Sequence, residues 1–173
     1  MGSIILDADD FCESNAKLDV LFRLKEANPI LQINLFTIPA LCSPAWLKEI
    51  KKIEWIEMIP HGWEHPHSRE CENWSYGDAM AYLEDIRHMG LSHGFKAPGW
   101  QISDGTYLAL LQSGYWVADQ HYNDDRRPKG LEVRYPEEHF HIGHLGGHND
   151  NEIEDHFDYI ASLEGPFTLY RDL

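Results

Sequence analysis

Short apolar runs alternate along this chain with stretches whose apolar residues recur at helical spacing. That alternation constrains the fold more than any other feature. Residues 4–6 (IIL), 30–38 (ILQINLFTI), 54–59 (EWIEMI), 115–118 (YWVA) and 139–144 (HFHIGH) read as strands, and 94–96 (GFK) as a short extended piece. Residues 17–27 (KLDVLFRLKEA) carry a helical apolar stripe that Asn28-Pro29 stops. Ser43-Pro44 offers an N-cap and a first-turn proline for a helix over 45–52. Ser75 and Asp78 stand at capping-box spacing ahead of a helix to about residue 88, which Gly90 ends. Ser103 caps 104–112, with Gly114 as terminator, and 151–163 reads as the last helix before 167–170. Strands alternating with helices make βαβ units and a parallel sheet. Five or more such units point to a barrel, but 173 residues fall short of the roughly 250 of a complete eight-unit one. The expected fold class is α/β: a reduced or incomplete (β/α) barrel with a mainly parallel sheet, in one domain over residues 1–173. Residues 120–138, rich in charge and proline, show no periodicity and read as a long loop of the kind that often carries function.

Charge narrows the partners. The chain carries 29 acidic and 14 basic residues, a net charge of −15. An acidic surface repels phosphate, so nucleic acid and anionic membrane are excluded as partners, whereas a neutral or cationic small molecule or oligosaccharide is not. The N-terminal MGSIILDADDF has no basic segment before its short apolar run, and no run reaches a membrane span, so a cytoplasmic location is expected. Cys12, Cys42 and Cys71 are widely spaced with no CxxC pair, which favours reduced, buried thiols over a disulfide framework.

The unusual polar residues all end or follow expected strands. Asp7, Asp9 and Asp10 follow the first, His61, His65 and His67 the third, Lys96 to Trp100 the GF piece, and Asp119 and His121 the YWVA strand, while His144 ends and His148 follows the HFHIGH strand. In barrels and open parallel sheets, active sites assemble at that carboxyl edge. Three like charges after a buried strand are costly unless a cation or a basic group compensates them. Two histidines at H-x-x-x-H spacing are common in solvated loops. With Asp10 they make a two-imidazole, one-carboxylate set suited to Zn²⁺ with an open position; Fe²⁺, Co²⁺, Mn²⁺ or Ni²⁺ also fit. His61-Gly-Trp-Glu64-His65 equally matches the H-x-x-E-H of some zinc proteases, which needs a helix. Pro66 and Gly62 argue against that helix and favour a strand-end loop. On the HFHIGH strand, alternation puts Phe140, Ile142 and His144 on one face and His139, His141 and Gly143 on the other.

These residues, in this order, resemble the polysaccharide deacetylases of carbohydrate esterase family four, the NodB-homology fold. Asp9-Asp10 matches the family's first motif, His61 and His65 its second, and Lys96-Ala97-Pro98-Gly99-Trp100 its third, R-x-P-x-W/Y. The late histidine is matched best by His144, with His148 as the other candidate. The fourth motif, an Asp with a nearby Trp, is represented at best by Asp119 and Trp116. Lys96 replaces the family's arginine, keeping the charge but losing the bidentate fork.

The resemblance implies a NodB-like fold and a divalent metal, zinc first, on Asp10, His61 and His65. It implies Asp9 as general base, His144 as general acid and Lys96, with Asp119, orienting Asp9. Trp63, Pro98 and Trp100, with Asp119, would contact substrate, and Trp63, Trp74 and Trp100 would be sugar-stacking or packing residues. The reaction implied is removal of acetyl groups from an N- or O-acetylated carbohydrate. Two other readings stand beside it: a different metal-dependent amidohydrolase or protease on the same ligands, and a catalytically silent carbohydrate- or metal-binding protein of this fold.

Overall fold

The computed structural model describes residues 3–121, 124–145 and 152–173. The chain divides into two compact units. The first comprises Met1–Thr37, Leu41–Met58 and Pro136–Leu173, and the second Ile38–Ala40 and Ile59–Tyr135.

The first unit is built on β1 (Ile4–Phe11), α1 (Leu18–Ala27), β2 (Ile33–Thr37), α2 (Pro44–Ile50) and the start of β3 (Ile56–Pro60). It ends with β7 (Glu138–His144), α5 (Glu152–Asp155) and α6 (Phe157–Ser162). Its four-stranded sheet has the order β3-β2-β1-β7. β1 is internal and pairs in parallel on both edges, Asp7 opposite Asn34 of β2 and His141 of β7. A strand covered on both faces reads as a continuous apolar run, which is why Ile5, Leu6, Ala8 and Phe11 are all buried. α1 buries Val20, Leu21 and Leu24, each worth about 1.5–3 kcal/mol of burial. The expected stop at Asn28 takes a specific form: its N–H donates to Leu24 O at 2.8 Å and its side-chain amide to Leu163 O at 2.9 Å, tying the end of α1 to that of α6.

The second unit carries α3 (Tyr76–Met89), β4 (Gly94–Phe95), α4 (Asp104–Ser113), β5 (Trp116–Ala118) and β6 (Val133–Arg134), with strand order β4-β5-β6. Both helices start as the sequence dictates. Ser75 and Asp78 close a reciprocal capping box, and the Ser103 hydroxyl accepts from Thr106 N–H. Both end on a left-handed glycine, Gly90 at φ 68° and Gly114 at φ 74°.

Two expectations change. Residues 120–138 are not only loop: β6 lies within them, and Val117 N–H donates to Glu132 O and Asp119 N–H to Arg134 O, each at 2.9 Å. The exposed edge of β5 draws in that short partner, because unpaired strand edges are unfavourable. The expected final helix is two, α5 and α6, broken at His156 (φ −95°, ψ 2°). The break lets His156 and Tyr159 close on Phe140, with ring centroids 5.7 and 4.9 Å away. Among the described residues no helix is long and apolar enough to cross a membrane.

Candidate functional site

In the first unit the carboxyl end of β1 is irregular. Its register slips against β2 between Ala8 and Phe11, and against β7 between Asp7 and Asp9. Such bulges redirect side chains. Here the slip falls on the Asp9-Asp10 pair, and Asp10 adopts φ 63°, a conformation rare outside glycine. Asp9 is buried, faces His144 across the strand pair, and its backbone carbonyl accepts from Leu145 N–H at 3.0 Å.

Two residues below, Asp7 is fully buried, and two histidines of β7 reach it. His139 Nε2 stands 2.7 Å from one carboxylate oxygen and His141 Nδ1 2.5 Å from the other. The Tyr170 hydroxyl donates to the same carboxylate at 3.4 Å. The other nitrogen of His141 lies 3.9 Å from Asp9 Oδ2. Asp7, His139 and His141 therefore form an Asp-His-His group whose potential ligand atoms all lie within 4.8 Å of one another. The sequence placed both histidines on one strand face, as observed, but did not pair them with Asp7.

His144 ends β7, half exposed. Its Nδ1 is 3.5 Å from Glu152 Oε2, and the same carboxylate accepts the His144 backbone N–H. The alternative late histidine, His148, lies outside the described residues.

In the second unit, His61 follows β3 directly, buried, and pairs in parallel with Lys96. Its Nδ1 lies 3.0 Å from Lys96 O. A carbonyl can only accept, so Nδ1 carries the proton and Nε2 presents its lone pair, the tautomer a metal ligand needs. The His65 ring sits 4.9 Å from that of His61, at 60° to it. Residues 61–67 contain no helix, and His65 has φ 51°, so the H-x-x-E-H protease geometry is absent. The loop is held by a residue that no sequence motif singles out. Buried Glu70 accepts from Trp63, Glu64 and His65 N–H at 2.9–3.1 Å.

Lys96 is buried, with Nζ 5.5 Å over the Trp100 ring. Pro98 starts a single 3₁₀ turn to Trp100, whose carbonyl accepts from Gln120 Nε2 at 2.7 Å. Asp119 is buried, and its Oδ1 is 2.8 Å from His121 Nε2. The His121 ring meets Trp100 edge-on at 5.8 Å. Trp63 stacks on Tyr82 at 5.5 Å. Trp74 is buried against Tyr82 and Phe95 and is a packing residue.

Five non-glycine residues among those described have positive φ: Asp10, Lys17, His65, Trp100 and Asp119. Four of the five were singled out from sequence for metal or substrate contact. Strain of this kind persists only where the surrounding structure enforces it, and it concentrates at functional sites.

No family model matches the sequence, and no curated protein matches it significantly. Solved structures do match the fold. A family 4 carbohydrate esterase from Streptomyces lividans, in complex with acetate, aligns over 92% of this chain and 86% of its own, with TM-score 0.61 and 14% identity. A family 4 acetyl xylan esterase from Clostridium thermocellum, in complex with a cobalt ion, aligns over 90% and 82%, with TM-score 0.58 and 12% identity. A peptidoglycan deacetylase from Bacillus subtilis aligns over 91% and 84%, with TM-score 0.58 and 17% identity. The chain has the α/β fold of these carbohydrate esterases and deacetylases, the NodB-like fold expected from its sequence motifs.

Proposed function

We propose that this chain, sharing the fold of the family 4 carbohydrate esterases, is a single catalytic domain that hydrolyses acetyl groups from an N- or O-acetylated carbohydrate. Asp10, His61 and His65 are its ligands for a divalent cation, zinc first, with Co²⁺, Mn²⁺, Fe²⁺ or Ni²⁺ as alternatives. The observation that carries this reading is the Lys96 carbonyl on His61 Nδ1, which fixes the ligand tautomer beside the His65 ring. The cation, when bound, supplies Lewis-acid polarisation of the acetyl carbonyl and acidifies the attacking water.

The chain's own groups move the protons. Asp9 removes one from the water as its oxygen adds to the acyl carbon. His144, oriented by Glu152, donates one to the departing nitrogen or oxygen as its bond to that carbon breaks. The products are acetate and a free amine or hydroxyl. Lys96 orients Asp9, and Asp119 assists. Trp63, Pro98, Trp100 and Asp119 form the substrate-contacting set, the aromatic rings suiting a neutral sugar face. The net charge of −15 accords with a neutral or cationic oligosaccharide rather than a polyanion.

The test is acetate release from N-acetylglucosamine oligomers and from acetylated xylan, run beside a peptide-cleavage assay. Acetate release that Asp9→Asn abolishes while bound metal is retained supports the reading. Peptide cleavage without acetate release, or full activity in Asp9→Asn, overturns it.

A further inference from the structure

Glu70 is a buried carboxylate whose two oxygens are both committed to the backbone. Oε2 accepts from Trp63 N–H and His65 N–H at 3.1 Å each, and Oε1 from Glu64 N–H at 2.9 Å. Three successive N–H groups converging on one anion form a nest. The chain here makes no helix and no ladder. It enters from Gly62 at φ 65° and leaves through His65 at φ 51°, so the carboxylate takes the place of secondary structure in satisfying those donors.

Gly62 completes the device. A Cβ at that position would collide with the Glu70 carboxylate and come within 2.9 Å of Pro98 Cγ. Only glycine admits both the close approach and the positive φ.

We infer that Glu70 is the positioning residue of the His61–His65 pair: it locks the backbone of residues 63–65 so that the His65 imidazole is set beside His61 before any metal arrives. The inference rests on the proposed metal-binding role of that pair. Glu70 acts through the peptide groups of residues 63–65. A loop already ordered leaves the metal little conformational entropy to remove on binding, which raises affinity without adding a ligand.

The test is zinc affinity, by chelator competition on the full chain at a temperature where circular dichroism shows each variant folded. Wild type, Glu70→Gln and His61→Ala are compared. Glutamine keeps the shape but turns one acceptor into a donor facing an N–H. The expected result is a zinc Kd about 10- to 100-fold weaker in Glu70→Gln, the range for loss of an outer partner. Folded Glu70→Gln with wild-type affinity overturns the positioning role alone. Zinc binding that is missing in wild type, or untouched by His61→Ala, overturns the metal reading and this role with it. Hydrogen exchange on the metal-free wild type reads the same inference without a variant. Protected amides at 63–65 support it, and free exchange there overturns it.

Discussion

Each unit holds a pair of histidines, and the two pairs are chemically alike but differently restrained. In the first unit, His139 and His141 both aim a nitrogen at the buried Asp7 carboxylate, 2.7 and 2.5 Å away. In the second, His61 gives its proton to a backbone carbonyl, and His65 is set by its own peptide group. Ligands on a tetrahedral zinc, with bonds of about 2.0–2.1 Å, stand some 3.3 Å apart. The Asp7 contacts are shorter than that, at hydrogen-bond length. The first cluster is therefore held at hydrogen-bond length around a buried charge, while in the second the Lys96 carbonyl takes the His61 Nδ1 proton and sets the tautomer. What an imidazole's N–H is given to, more than the count of Asp and His, separates a structural cluster from a candidate ligand set.

The sharpest way to break this contrast is to remove one histidine from each pair. His61→Ala should weaken zinc binding by more than the roughly 10- to 100-fold that an outer partner commands, whereas His139→Ala should leave it unchanged. Competition with a chromogenic chelator reads both, and the reverse pattern would exchange the two roles. Next in size, Asp7→Asn leaves two imidazoles facing an amide in place of a buried charge. It should cost about 3 kcal/mol in urea unfolding with zinc affinity intact. A stable Asp7→Asn protein that has lost zinc would show that the first cluster is the metal site.

Lys96→Met tests the second unit more finely. Because the bond to His61 comes from the Lys96 carbonyl, metal affinity should hold while turnover falls; a parallel loss of zinc would mean that the ammonium matters to the ligands. The smallest effect concerns the thiols. All three cysteines are buried, and burial pushes the Cys42 thiol up to about 12 and raises Cys71 as well. Reaction with an aromatic disulfide reagent at pH 8 should be slow for the folded chain and complete in denaturant.

Much of this was legible in the sequence because it is local. The capping box at Ser75 and Asp78, the glycine stops at 90 and 114, and the apolar β1 run depend on neighbours a few residues away. So does the rejection of a helix at 61–65, where Gly62 and Pro66 sit inside the motif. The sequence also carried the cost of three acids after β1 and the need for a compensating group. It did not reveal that Asp7 is matched by His139 and His141, because cross-strand partners 132 and 134 residues away leave no periodic trace. Glu70 was invisible for a related reason. An acid amid charged loop residues looks solvated, and only the fold turns three amides toward it. The positive φ of Asp10, His65, Trp100 and Asp119 likewise belongs to tertiary context, since none of these residue types demands it.

The pairing of β1 with β7 has a consequence for how the molecule is made. β1 leaves the ribosome well before β7, yet one of its two edges is completed by that later strand, which starts at Glu138. Until then Asp7 has neither imidazole, and the edge that β7 will occupy stays open. Closing so long a loop is entropically slow and delays the most buried charge of the first unit. The interval is when the nascent chain is most open to mispairing along that edge, so the acids of β1 also serve before folding ends, making it a poor template for another strand.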